Sequence, residues 1–312
     1  MNWKRKARLA NFVAKLPRRM SYSSYYFIQR HFGTLRTVNP ERALKGGVAI
    51  IELIGKCGSG LTGAETFLEV GTGRCLALPI ALWLCGAHRI ITVDLNPYLK
   101  SELVFEEIDY IRNHQSTVRQ LFASQADKPG FCERLDWLVN GKRDMDQLLS
   151  GMNVQYMAPA DAGKLALPSQ SIDYHVSFMV LQHVRPDALV AIFREGKRLL
   201  KAQGLSIHYT NVGDLFAGID PSIGPLNFLQ FDEQEWESIA GNRYMYHNRL
   251  RVDELRGLCE TAGLRILSAD ALINQESLGR LKSGQLALDH RFRDKSPETN
   301  ATDRIWLTAT PC

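Results

Sequence analysis

The chain has 312 residues, 45% hydrophobic and 23% charged, with a net charge of +5. Those are globular proportions, and a chain of this length buries a core without staples. No run approaches the roughly 18 consecutive apolar residues of a bilayer-spanning helix, and six scattered cysteines with no Cys-x-x-Cys pair argue against a zinc site or a disulfide framework and favour a reducing, cytoplasmic compartment.

The charge is unevenly placed. Residues 1–40 carry nine Lys and Arg and no acid, leaving 29 basic against 33 acidic residues in the other 272. The opening MNWKRKARLANFVAKLPRRM lacks the apolar core of a secretory signal. It reads as a solvated basic helix, as a transit segment, or as an amphipathic helix on an anionic membrane, in which case residues 1–20 make a peripheral contact.

In chain order, residues 1–65 read as a helical cap punctuated by Pro17, Gly33 and Pro40. Residues 66–312 form the second unit. Strand TFLEV (66–70) precedes a helix over 75–86; strand RIITVDL (89–95) precedes a helix over 96–111, with Asn96 as cap and Pro97 in its first turn. Strands over 154–160 and 171–181 follow, then a helix over 188–204, a strand over 205–211, a helix over 252–263, and closing strands LRILSADAL and RIWLTATP. This alternation predicts an α/β, doubly wound, mainly parallel sheet with helices on both faces. Two stretches interrupt it: 112–153, which reads as a helical insertion, and 212–251, which reads as a substrate lid.

The stretch FLEVGTGRCLALPIAL (67–82) carries the chemistry. Gly71 and Gly73 let the backbone turn sharply between strand and helix and place no Cβ before a ligand. Asp94, 21 residues after Gly73, ends the next strand, where a carboxylate can accept both hydroxyls of a ribose. The third glycine of a dinucleotide fingerprint is replaced by Leu76, and no phosphate-cradling GK[ST] is present. Glu69, two residues before Gly71, would repel a pyrophosphate and suit a cationic ligand or its amino group. The ligand expected is a nucleoside without a pyrophosphate.

These residues resemble the class I S-adenosylmethionine-dependent methyltransferases of the small-molecule type. Glu69-Val70-Gly71-Thr72-Gly73-Arg74-Cys75 is similar to their first motif, with Cys75 where the last glycine often stands, and VDLNP to their second. By that resemblance the fold is Rossmann-like with an antiparallel last strand, the cofactor is S-adenosylmethionine and the product S-adenosylhomocysteine. Glu69, Gly71, Thr72 and Gly73 would hold its methionine and ribose part, and Asp94 and Leu95 the nucleoside. Asp161 with Ala162 would meet the adenine amino group, and Ser177 and Phe178 would close the site from the fourth strand. Lys201-Ala202-Gln203-Gly204 replaces the family's Pro-Gly-Gly turn.

Methyl transfer needs the nucleophile aligned with the departing sulfur, and an alcohol also needs its proton removed. His183 just after the fourth strand, Tyr209 at the end of the fifth, and His247 and Arg249 in YHNRLR are the candidate catalytic residues. For His183 and the YHNRLR pair the alternatives are a conformational role and a lid–core hydrogen-bond cluster. Arg249 would suit a carboxylate or phosphate. Tyr22, Tyr25 and Tyr26, at helical spacing, read either as helix packing or as a second cap over the cofactor. Met179-Val180-Leu181-Gln182-His183 lacks the acids of a metal-binding E-x-x-E-H, so no metal is expected. The place of the DNA-methylating tetrad reads SFMV, and the sole Pro-Cys is Pro311-Cys312, so no nucleic-acid partner is expected. The acceptor implied is a small molecule with a hydroxyl or amine. A lipid-linked or glycan acceptor at a membrane surface, and an inactive binding module, are the competing readings.

Overall fold

The computed structural model describes residues 2–58, 60–126, 128 and 130–312. Three helices come first: α1 (Trp3–Lys15), α2 (Arg18–Phe32) and α3 (Glu41–Lys56). β1 (Thr66–Val70), α4 (Ala77–Leu84), β2 (Arg89–Val93) and α5 (Ser101–Asn113) follow, then α6 (Gln115–Leu121), α7 (Phe131–Asn140) and α8 (Met145–Gly151). β3 (Val154–Met157), β4 (Ile172–Phe178), α9 (Pro186–Leu199) and β5 (Leu200–Asn211) lead to α10 (Glu233–Ala240), α11 (Val252–Thr261) and β6 (Leu264–Ile273). Three short helices, α12 (Gln275–Lys282), α13 (His290–Arg293) and α14 (Pro297–Ala301), precede β7 (Thr302–Pro311).

The strands make one seven-stranded sheet in the order β3-β2-β1-β4-β5-β7-β6. β7 runs antiparallel to both β5 and β6, and the other pairs are parallel. Strand residues alternate between two cores, as a period of two requires, except that a bulge between Ile172 and Tyr174 moves those two to opposite faces of β4. Phe67, Tyr174, Val176 and Ile207 face α3, α4, α5 and α7, while Leu68, Val70, Ile172 and Ile305 face α9 and α11. A third core joins Trp3 of α1 to Phe216, Phe228 and Trp236 of the 212–251 segment. Because Leu44, Ile50 and Ile54 of α3 belong to the first sheet core, packing does not divide the chain at residue 65.

Several expected boundaries shift. The second helix starts at Ser101, not Asn96: Asp94 Oδ1 holds the Asn96 N–H at 2.9 Å and Tyr22 donates to the Asn96 side chain at 2.8 Å, so 96–100 remain a loop. β4 stops at Phe178 because Met179 turns to φ 61°. Residues 201–204, expected as the end of a helix and a turn, already belong to β5. Among the described residues of 112–153 lie the helices α6, α7 and α8.

Candidate active site

β1 and β2 end side by side, and the chain leaves each through a turn that the other holds. Gly71, at φ +88°, donates its N–H to Val93 O at 2.7 Å; Thr72 Oγ1 meets Thr92 Oγ1 at 2.6 Å, and Thr92 donates in turn to Glu69. Gly73, at φ +69°, donates to Asp94 Oδ2 at 2.9 Å, and a Cβ there would meet nothing within 4 Å. Burial raises the pKa of Asp94, an effect opposed by the N–H donors of Asn96 and Gly73. A Cβ on Gly71 would strike Val180, which lies over the turn.

Glu69 does not present its carboxylate to a ligand. It is buried beneath the turn, and burial pushes its pKa up to about 8. The electrostatic role expected of it gives way to support of the turn through Thr92 and Thr72. A second carboxyl, Glu107 on α5, is also buried with its pKa pushed to about 8, and it accepts the Leu76 N–H at 2.9 Å where α4 begins. Glu107 was missed in the sequence, although it occupies the apolar stripe of α5 with Leu103, Val104, Ile108 and Ile111.

Around this turn, Leu95 is 67% exposed beyond Asp94. The Ala160 N–H donates to Asp94 O at 2.9 Å, which brings the loop after β3 alongside. In that loop Asp161 is exposed with Oδ1 on the Gly163 N–H, and Ala162 is buried against the α9 core. Ser177 is a correction: its hydroxyl points into the α9 side of the sheet, 2.8 Å from His208 Nδ1, because neighbouring strand residues face opposite ways. Phe178 faces the other side. Tyr22 of α2 reaches Asn96, and the Arg74 guanidinium lies over the rings of Tyr26 and Tyr98 at 4.9 and 5.0 Å, so α2 sits over the β2–α5 connection.

On the β5 side, the Phe178, Tyr209 and Trp306 rings form a stack with centroids 5.0 and 4.6 Å apart. They line an open cavity of about 630 Å³ with Arg42 and Lys45 from α3 and Arg304 from β7. Arg42 Nη2 lies 3.3 Å from Met179 Sδ, adjoining the segment that covers Gly71. Tyr209 was expected here; the cations were not. Arg42 and Lys45 occupy the stripe of α3 opposite Leu44, Val48 and Ile51, and Arg304 alternates with buried Ile305, signals that a reading of the antiparallel register would have used.

His183 Nδ1 lies 3.0 Å from Tyr246 O, a pure acceptor, so Nδ1 carries the proton and Nε2 is free. Surrounding protein lowers its pKa, although the residue keeps an exposed edge. The other two expected catalytic residues do not join it. His247 is buried among Phe216, Phe228 and Trp236, with both ring nitrogens unpartnered and its pKa pushed down to about 3 by burial. Arg249, buried, donates to Phe228 O and Phe231 O and pairs with Glu233 at 2.6 Å. Both serve the core of the 212–251 segment, which must satisfy its own irregular backbone. Among the described residues no cluster of three His, Cys, Asp or Glu could hold a metal, and no helix is long and apolar enough to cross a membrane.

The methyltransferase-domain family matches residues 140–208, and no curated protein matches the chain. Among solved structures, a putative methyltransferase from Haloferax volcanii in complex with the Trm112 methyltransferase activator is similar at 14% identity and TM-score 0.45, covering 92% of this chain and 95% of that one. Geranyl diphosphate C-methyltransferase from Streptomyces coelicolor A3(2) is similar at 12% identity and TM-score 0.45, covering 85% and 80%. A putative methyltransferase from Bacillus halodurans is similar at 15% and TM-score 0.43, covering 85% and 99%. Nothing about substrate follows from likenesses this distant. The match to the methyltransferase-domain family runs from the end of α7 into β5 and leaves the glycine turn and Asp94 outside it.

Proposed function

We propose that the chain transfers a methyl group from S-adenosylmethionine to a hydroxyl or amine of a small molecule. The observation that carries the reading is the turn itself: two left-handed glycines, open space beside Gly73, and a carboxylate on Asp94 with a lone pair left on each oxygen after its two N–H donors. Asp94 would accept the ribose hydroxyls, exposed Leu95 would pack on the adenine, and Asp161 beside Ala162 would meet its amino edge. When bound there, the cofactor supplies an electrophilic methyl on a sulfonium. Glu69 and Thr72 act from below, holding Gly71 and Gly73 in place.

Tyr209, Phe178 and Trp306 offer ring faces to an acceptor, and Arg42, Lys45 and Arg304 outnumber the carboxylate of Glu41 in the same cavity. That composition supports a ring-bearing acceptor with an anionic group. His183 is the base for a hydroxyl acceptor: the Tyr246 carbonyl fixes the tautomer with Nε2 unprotonated, and the lowered pKa keeps the ring neutral at pH 7.

Titration calorimetry with S-adenosylmethionine and S-adenosylhomocysteine tests the cofactor reading. Both should bind the wild type, and Asp94→Ala should weaken binding by about 1–3 kcal/mol through loss of a charged acceptor. Failure of both ligands to bind the wild type would leave a fold without its cofactor and favour an inactive binding module.

A further inference from the structure

We propose that the outward faces of α1 and α2 dock the protein on an anionic lipid bilayer. Of the eight large hydrophobic side chains exposed among the described residues, five lie in the first 40: Leu9, Phe12, Met20, Phe27 and Phe32, the last two 56% and 79% exposed. They are not a failed core. α1 already buries Trp3, Ala7, Ala10 and Val13 against the rest of the protein, and its opposite stripe runs Arg5, Arg8, Leu9, Phe12 and Lys15. α2 turns Ser21, Tyr22 and Tyr25 inward, reaching Tyr244 and Asn96, and leaves Met20, Phe27 and His31 outside. Each helix thus has one satisfied face and one apolar face flanked by cations.

The charge selects the occupant. Nine cations and no acid lie in this segment, so a second copy of the same surface would be repelled, whereas anionic headgroups would be attracted. Bulky Phe, Leu and Met side chains interleaved with Arg and Lys suit insertion at the headgroup boundary, where apolar burial and charge act together. A cavity of about 360 Å³ opens beside Phe27 and His31, and its far wall carries Arg74 and Lys100. Among the described residues neither of these two is ion-paired to a carboxylate. The cavity would receive the phosphate of a lipid headgroup.

Co-sedimentation of the full chain with vesicles tests the proposal, using phosphatidylcholine alone and phosphatidylcholine mixed with phosphatidylglycerol. The protein should partition onto the mixed vesicles and release at high salt. Phe12→Ser with Phe27→Ser should lower partitioning by about tenfold or more, and Arg5→Ser with Arg8→Ser by about fivefold per cation. All four side chains lie on outward faces, so an unchanged melting temperature verifies folding. No preference for anionic vesicles, or partitioning insensitive to both double variants, overturns the proposal. So does a dimer that Phe12→Ser dissolves in the absence of vesicle binding, or retention of duplex DNA without it. Binding of S-adenosylhomocysteine by the same variants is a separate readout, so failure here leaves the cofactor reading standing.

Discussion

His183 and His247 look alike in the sequence, each a histidine in a polar loop beyond the sheet, and the structure gives them opposite fates. His183 has a fixed tautomer and a free Nε2, whereas His247 is sealed among aromatic rings with no partner for either nitrogen. His183→Ala should therefore lower kcat by about 10²–10⁴, the range for a lost general base, with unchanged affinity for S-adenosylhomocysteine. His247→Phe should leave turnover intact, since no buried hydrogen bond is lost. A folded H247F protein with no turnover would restore His247 to the chemistry. Residue type alone could not separate the two, because the difference is a direction set by a core assembled from distant segments. The buried carboxyls give a pH prediction. Glu107 has its pKa pushed from 4.5 to about 8, so its stabilising state is fully present below 4.5 and is lost as pH rises through 8, where the folded chain must ionise a buried group. Glu107→Gln stays neutral and still accepts the Leu76 N–H. Urea melts should show the variant equal to wild type near pH 4 and more stable by several kcal/mol near pH 9. Parallel pH profiles for the two proteins would refute the assignment.

At the scale of elements, the alternating strands and helices and the glycine turn were legible because each is written locally, in period, cap and turn chemistry. The reason for Gly46 and Gly47 in α3 was not. A Cβ on Gly46 would lie 2.4 Å from the Phe178 ring and one on Gly47 2.4 Å from Ala81, so the two glycines set how closely α3 approaches β4 and α4. Gly46→Ala should displace either the helix or the ring, costing about 1–3 kcal/mol and reshaping the proposed acceptor cavity that Phe178 lines. Gly55→Ala, in the last turn of the same helix, meets nothing within 4 Å and should stabilise by roughly 0.5–1 kcal/mol through the entropy of the unfolded chain. Thermal melts of the pair check both signs, and a neutral Gly46→Ala would mean that α3 is not packed against Phe178. The loop over 96–100 shows the converse limit. Asn96 and Pro97 carry a helix-start signal, but Tyr22 and Asp94, 74 and 2 residues away, use the groups that a cap would need.

For the whole molecule, the longest contacts are the ones that no local pattern announces. α1 is joined to the 212–251 segment across more than 200 residues: the Trp3 N–H donates to Asp220 Oδ2 at 2.9 Å, and the Trp3 ring packs on Phe216 and Phe231 with centroids 5.4 and 5.9 Å away. Asn11 donates to the carbonyls of Ser238 and Ile239 at the end of α10. The basic N-terminus is thus a structural part of the segment beyond β5, which has a core of its own around Phe228 and Trp236, while Val212 and Leu250 at its two ends belong to the α9 sheet core. Such a satellite core depends on each large side chain in it, and Trp3→Ala should cost about 3–5 kcal/mol locally. That loss exceeds what a small cluster can supply, so the 212–251 segment should open while the seven-stranded sheet, whose cores Trp3 does not touch, persists. Limited proteolysis should show new cuts within 212–251 in Trp3→Ala, with the far-ultraviolet circular dichroism of the sheet and helices largely retained. Because Asn248 of this segment donates to the carbonyls of Leu181 and Val184, and His183 to Tyr246 O, opening would also release His183, the proposed base, from its tautomer-fixing partner. Turnover should then fall more than affinity for S-adenosylhomocysteine, whose proposed contacts at Gly73, Asp94 and Leu95 belong to the intact sheet. Equal loss of both would place the cofactor contacts partly in the 212–251 segment.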